Sequence, residues 1–177
     1  MKDIVSKDRN ELAQLFSGVG VEVGVAEGEF AETILQLGKV SKLYGVDPFK
    51  PLEGYRDYVF EKTFQRLYDT TMRTLMPYTN WMLIQETSME AVKHFDDNSL
   101  DFVYIDADHS YEHVLQDITE WAKKVKPGGI VSGDDYVRRK GQDQYYNVVD
   151  AVDKYVADNN LDLTIYGNGR SNWMFIK

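Results

Sequence analysis

Short apolar segments alternate with helix-patterned ones along nearly the whole chain, and that alternation leaves few folds open. GVEVGVA (20–26), KLYGVD (42–47), WMLIQE (81–86), DFVYID (101–106) and IVSGDD (130–135) read as buried strands. EFAETILQL puts Phe30, Ile34 and Leu37 on one helical face, with Gly38 as a stop. Residues 53–76 read as a helix rich in Tyr, Phe and Met, and Thr87-Ser88-Met89-Glu90 has the form of a capping box. Ser110 is placed to cap a helix whose Val114, Ile118, Trp121 and Val125 face the core; a last helix turns Val148, Val152, Tyr155 and Val156 inward. LDLTIYG (161–167) and NWMFIK (172–177), joined by GNGRS, read as a closing hairpin. Strands alternating with helices imply an α/β architecture, a mostly parallel sheet covered on both faces. The hairpin makes the inventory seven strands with an antiparallel last one. Nothing splits the chain, so the expectation is one domain over 1–177. It includes an amphipathic helix within 1–17, carrying Leu12, Leu15 and Phe16, and a variable loop over 136–147.

Composition narrows the partners. A chain of 177 residues with 43% apolar content can bury one substantial core. Its net charge of −9 counts against a phosphate-backbone partner. Of the two basic clusters, KKVK (123–126) falls at a helix end, where Lys complements the helix dipole. RRK (138–140) lies in a loop and could meet a small anionic molecule. There are no cysteines, no apolar run of membrane-spanning length and no signal-peptide pattern, which fits a cytoplasmic protein.

In open α/β sheets ligands bind outside the carboxyl ends of the strands. The first strand exit reads Glu22-Val-Gly24-Val-Ala26-Glu-Gly28, with small residues that admit a ligand close to the backbone. A Rossmann dinucleotide turn would be G-x-G-x-x-G; here the last glycine comes one residue early, and Glu27 and Glu29 would repel a pyrophosphate. Glu22 suits a cationic ligand. Asp47, about twenty residues on, is placed to accept ribose hydroxyls. The alternatives are a plain strand-to-helix turn and an Asp-Pro turn. Together the features point to an adenosine ligand without a pyrophosphate.

YIDADHSYEHV (104–114) adds acids and imidazoles at a strand exit. Asp106 ends the fourth strand and Asp134-Asp135 the fifth, so three carboxylates should meet in one cleft. Like charges there raise one another's pKa unless a cation intervenes, and a hard divalent ion takes such ligands. His109 has the chemistry of a general base. Alternatively, Asp108 and His109 are capping residues and Asp134-Asp135 a solvated turn. His94 reads as a surface residue, and His113 is left without a role.

EVGVAEGEFAETIL, YGVDPF, DFVYIDADHSYEHVLQDI and VKPGGIVSGDDY, in this order, resemble class I S-adenosylmethionine-dependent methyltransferases, over roughly residues 18–177. The branch with macrolide-sugar O-methyltransferases of the mycinamicin and tylosin type is the most similar. The resemblance implies a Rossmann-like seven-stranded sheet. It implies that Glu22, Gly24, Ala26 and Gly28 line the methionine half of S-adenosylmethionine, that Asp47 holds the ribose, and that Thr87 and Ser88 lie near the adenine, with Asp106 bordering the cofactor. It further implies that Asp106, Asp134 and Asp135 hold Mg²⁺ or another divalent cation, and that His109, in Asp106-Ala-Asp-His109, takes the substrate proton. Ala26 stands where many class I enzymes have glycine.

The resulting expectation is metal-assisted O-methylation of a small hydroxylated molecule, sugar or polyol. The rivals are a metal-independent N-methyltransferase on a cationic small molecule, a nicotinamide-dependent Rossmann oxidoreductase, and a non-catalytic nucleotide-binding protein. Tyr55, Tyr58, Tyr136, Tyr145 and Tyr146 are candidate pocket walls, each with a packing alternative. The chain lacks the extra N-terminal region of the macrolide enzymes, which points away from a bulky substrate. A second subunit, in a homo-oligomer, could cover the open side.

Overall fold

The computed structural model describes residues 2–5, 8–52, 61–138, 147–167 and 171–177. Among these residues eight strands form one sheet: β1 (Lys2–Val5), β2 (Ser17–Val23), β3 (Lys39–Val46), β4 (Trp81–Ile84), β5 (Leu100–Ile105), β6 (Val125–Gly133), β7 (Leu163–Gly167) and β8 (Ser171–Ile176). Their order is β1-β7-β8-β6-β5-β2-β3-β4, and only β8 runs antiparallel to its neighbours. The helices are α1 (Arg9–Ala13), α2 (Glu29–Leu37), α3 (Glu61–Leu75), α4 (Ser88–Ala91), α5 (Tyr111–Lys124) and α6 (Val148–Asp158), with a 3-10 turn over Val92–His94.

The period-2 alternation of the strands divides the core into two layers. On β5, Val103 and Ile105 pack with α4, α5 and α6 through Ala91, Ile118, Trp121, Val148 and Val152. Phe102 and Tyr104, on the other face, pack with α1, α2 and α3 through Leu12, Ile34, Leu67 and Leu75. Phe102 lies flat against Phe16, ring centroids 4.4 Å apart. Leu37 and Leu15, expected inside, are 41% and 46% exposed: Leu37 is the last residue of α2, and Leu15 lies beyond the end of α1 in the turn to β2.

The expectation of seven strands is short by one. The N-terminal segment is not helical throughout. Lys2–Val5 extends along β7, with Ile4 opposite Ile165, and α1 is only five residues long. Asp8 fixes its start by accepting from the backbone N–H groups of Asn10 and Glu11, while Glu11 accepts from the Asp8 N–H. Thr87 and Glu90 form the expected capping box on α4. Ser110 occupies the N-cap position of α5, yet its hydroxyl meets His113 Nδ1 at 2.7 Å instead of capping.

What matters for a ligand is the alignment of the strand exits. Val23 pairs with Val46 and with Ile105, and Ile105 pairs with Gly133. The next residues, Asp47, Gly24, Asp106 and Asp134, therefore emerge side by side. β2 lies between β3 and β5, so the chain's direction across the sheet reverses there, at the place where such sheets bind ligands. No helix among the described residues is long and apolar enough to cross a membrane.

Candidate active site

The exits open into a cleft of about 770 Å³, within the range for small-molecule sites. Glu22, Gly24, Ala26, Asp47, Thr87, Ser88, Asp106, His109, Asp134 and Asp135 all line it. Gly28 does not; it is the left-handed N-cap of α2 (φ 81°), turned toward Leu75 of α3.

The glycine turn answers first to the protein's own packing. Gly24 has φ 89°, and a Cβ there would lie 2.0 Å from the Asp106 carbonyl oxygen. Asp47 braces the turn: its Oδ2 accepts from the N–H groups of Val25 and Ala26, each at 3.1 Å, and its Oδ1 from Phe49 at 2.9 Å. Burial raises the Asp47 carboxyl above its ordinary value, and these three donors pull it back only in part. Asp47 thus holds the turn while still facing the cleft. Thr71 on α3 donates to the Ala26 carbonyl, fixing the turn from the other side.

At one end of the cleft lies a charged group that the sequence reading did not assemble. Glu22 is 2% exposed, and its Oε2 has no hydrogen-bond partner among the described residues. Burial, and then the Asp106 charge, push its carboxyl well above the usual range. Asp134 is pushed up to about 6 by burial, with Asp106 adding to it. The cation among these acids is Arg9 of α1, stacked 4.5 Å over the Phe30 ring with Nη1 3.7 Å from Asp134 Oδ2. Burial works against its charge, but Tyr104, Asp134 and Asp106 outweigh that. Arg9 had a sequence signal: it directly follows Asp8 of the Asp-x-x-Glu capping box, which marks a helix start.

His109 Nε2 lies 3.3 Å from Asp106 Oδ1 and 3.5 Å from Asp135 Oδ2. Its carbonyl accepts from the N–H of Asn147, which ties the segment to the start of α6. Asp108 accepts from the Ser110 N–H at 2.7 Å. His113 borders the cleft but is largely exposed, and His94 pairs with Glu86 on the surface at 2.8 Å.

The expected divalent-metal centre is not assembled among the described residues. Among the described residues no group of three histidine, cysteine or carboxylate side chains is gathered to hold a metal. Asp134 faces Arg9, while Asp106 and Asp135 face His109. The cation beside Asp134 among the described residues is the Arg9 guanidinium. One guanidinium offsets at most one carboxylate, and burial holds the carboxyls of Glu22 and Asp134 toward their neutral forms.

Other sequence candidates lie elsewhere. Tyr136 is buried between β1 and α6, where it donates to Asp153 at 2.5 Å and meets Lys2, so it is packing and not a pocket wall. Lys123, Lys124 and Lys126 pair with Glu120, Asp97 and Asp101, and Arg138 pairs with Asp150. Tyr55, Tyr58, Tyr145, Tyr146, Arg139 and Lys140 lie outside the described residues.

Comparison with known proteins identifies the scaffold. Residues 21–136 match the family described as Methyltransferase domain. The chain belongs to the methyltransferase-domain family. The domain is 27% identical over 139 residues to an uncharacterized protein of Acanthamoeba polyphaga mimivirus; the match takes in 78% of this chain and 59% of that protein. It superposes on the O-methyltransferase TomG of Streptomyces achromogenes, solved with S-adenosylmethionine. The TM-score is 0.70 and the identity 13%, with 96% of this chain and 78% of TomG covered. The O-methyltransferase of Bacillus cereus, solved with S-adenosylhomocysteine, gives 0.66 and 14%, covering 96% and 79%. At such identities the likeness is one of fold: the Rossmann-like methyltransferase sheet, here with an eighth strand.

Proposed function

We propose that this methyltransferase domain transfers the methyl group of S-adenosylmethionine to a hydroxyl of a small molecule, with His109 as the base. The observation that carries the reading is that a buried carboxyl, Glu22, whose Oε2 meets no hydrogen-bond partner among the described residues, and the Arg9 guanidinium both lie at the end of the cleft nearest Asp106 and His109. A carboxylate and a guanidinium together suit a zwitterionic amino-acid end. Glu22 meets its ammonium, and Arg9 its carboxylate. Asp47 reaches the ribose across the Gly24 turn. The bound cosubstrate supplies an electrophilic methyl group on a sulfonium.

The neutral imidazole of His109 takes the hydroxyl proton, and Asp106 and Asp135 beside its Nε2 favour the charge it gains. The substrate oxygen then bonds to the methyl carbon, the carbon–sulfur bond breaks, and its electron pair stays on sulfur. The imidazolium that results lies between Asp106 and Asp135. Holding the two reactants in line contributes the larger part of the acceleration.

The Asp106-x-x-His109 spacing supports a relationship to the macrolide-sugar branch, and with it a sugar or polyol substrate. An acidic cleft would also receive an amine, so amine methylation is the second reading. The test is methyl transfer from labelled S-adenosylmethionine to panels of small hydroxylated compounds and amines, in EDTA and again with Mg²⁺. Turnover of hydroxylated compounds that falls about 10²- to 10⁴-fold in His109→Ala, with S-adenosylhomocysteine affinity unchanged, is the expected result. Turnover confined to amines, or a variant as fast as the wild type, would overturn it. Activity that appears only with Mg²⁺ would restore the metal-assisted mechanism.

A further inference from the structure

Away from the charged end, the cleft holds a buried carboxyl that no step above uses. Asp117 of α5 is only 4% exposed, yet it lines the cleft with Ser88, Met89, Gln116 and His113. Ser88 Oγ donates to Asp117 Oδ1 and accepts from Trp121 Nε1 at 2.8 Å. Trp121 is fully buried, so indole, hydroxyl and carboxylate form a fixed chain running from the core to the cleft. The Ser88 hydroxyl has one proton to give, and it goes to Asp117. No other hydrogen bond reaches the carboxylate among the described residues.

A buried carboxylate with one neutral donor is under-satisfied, since it can accept about four hydrogen bonds. Burial accordingly pushes its carboxyl up to about 7, against the opposing pull of Ser88 and His113. The place of Asp117 in the fold identifies the donor it lacks. Ser88 follows β4 and Asp134 follows β6, and the order β4-β3-β2-β5-β6 separates those exits by four strand spacings, roughly 19 Å. A nucleoside joined through sulfur to an amino acid has a comparable extended length. With its zwitterionic end at Glu22 and Arg9 and its ribose over Asp47, its base comes to Ser88 and Asp117, between the apolar surfaces of Pro48, Met89 and Ala107.

We propose that Asp117 selects a 6-aminopurine over a 6-oxopurine, its second carboxylate oxygen accepting the exocyclic N–H while Ser88 holds the first. This rests on the reading of the cleft as an S-adenosylmethionine site. A 6-oxo base would turn oxygen lone pairs toward the same carboxylate, so the group both attracts one base and repels the other. Ser88 acts through Asp117 as a positioning residue, and Trp121 positions Ser88.

The test is calorimetric titration of the full chain with S-adenosylhomocysteine and with S-inosylhomocysteine, at about pH 8, where a carboxyl that titrates near 7 is ionised. The wild type should prefer the adenosyl ligand by at least about tenfold. Asp117→Asn, whose amide can donate to a 6-oxo group, should bring that preference toward parity. Equal wild-type affinity for the two ligands, or a folded Asp117→Asn chain that keeps the full preference, would overturn the proposal. If Asp117→Asn does not fold, the wild type is titrated with the analogue bearing hydrogen at purine C6. That analogue should bind about tenfold more weakly than S-adenosylhomocysteine, and equal binding again overturns the proposal. A wild type that binds S-adenosylhomocysteine without discriminating removes only the role of Asp117, whereas one that binds no ligand removes the cofactor reading with it.

Discussion

Arg9 stands 3.7 Å from Asp134, and its replacement by Met would leave the acids at that end of the cleft without their guanidinium. Arg9→Met should weaken S-adenosylhomocysteine binding by about tenfold or more, the usual effect of losing one charge-assisted hydrogen bond. Methylthioadenosine, which lacks the amino-acid end, should lose much less, and calorimetry on both ligands checks the difference. Equal losses would mean that Arg9 holds the site together without touching the ligand. Glu22 and Asp134 give the same end a pH dependence. Both carboxyls are raised in the free protein, Asp134 to about 6, and a ligand ammonium favours their ionised forms. Binding therefore releases protons, and affinity should rise as pH passes upward through about 6, where Asp134 ionises. Asp117 affects stability by the same logic with no ligand present. Its folded value of about 7 lies above its ordinary 3.8, so the stability it contributes is fully present below about pH 4 and is lost as pH rises through about 7. Thermal melts of Asp117→Asn and wild type should show the wild type losing up to about 1.4 kcal/mol per pH unit relative to the variant across that window. A constant difference would place the titration elsewhere.

The element that carries Arg9 is only five residues long, and Asp8 fixes its start. Asp8→Ala should lower stability by about 1 kcal/mol and also weaken S-adenosylhomocysteine binding, because the helix that aims the guanidinium frays. A loss of stability with affinity unchanged would show that packing of Leu12 and Ala13 sets the position of α1 without the cap. This segment is also where the sequence was least legible. Leu12, Leu15 and Phe16 suggest one helix, but a strand as short as Lys2–Val5 gains its partner, Leu163–Tyr166, from the far end of the chain. Local spacing carries no sign of such a pairing. Longer elements with their own punctuation were legible: α2 stops at Gly38, α4 opens with Thr87 and Glu90, and α5 buries Val114, Ile118 and Trp121 as its periodicity implies.

At the scale of the molecule, the sheet turns residues far apart in sequence into neighbours. Asp47, Gly24, Asp106 and Asp134 share one rim because Val46, Val23, Ile105 and Gly133 share one register. That much follows from reading parallel strands and a closing hairpin, so the positions of the acids were legible before their partners were. That a guanidinium would stand beside Asp134 was not. The place of Arg9 beside Asp134 depends on an N-terminal helix folding back over Phe30, a tertiary contact that no motif records. The central claim is that this rim binds the amino-acid and nucleoside ends of S-adenosylmethionine through the chain's own residues. Its most direct test is calorimetric titration of S-adenosylhomocysteine into the folded chain in EDTA. Saturable micromolar binding of one ligand per chain is the predicted result. A folded chain that gives no binding heat, with EDTA or with added Mg²⁺, and no shift in melting temperature would contradict it.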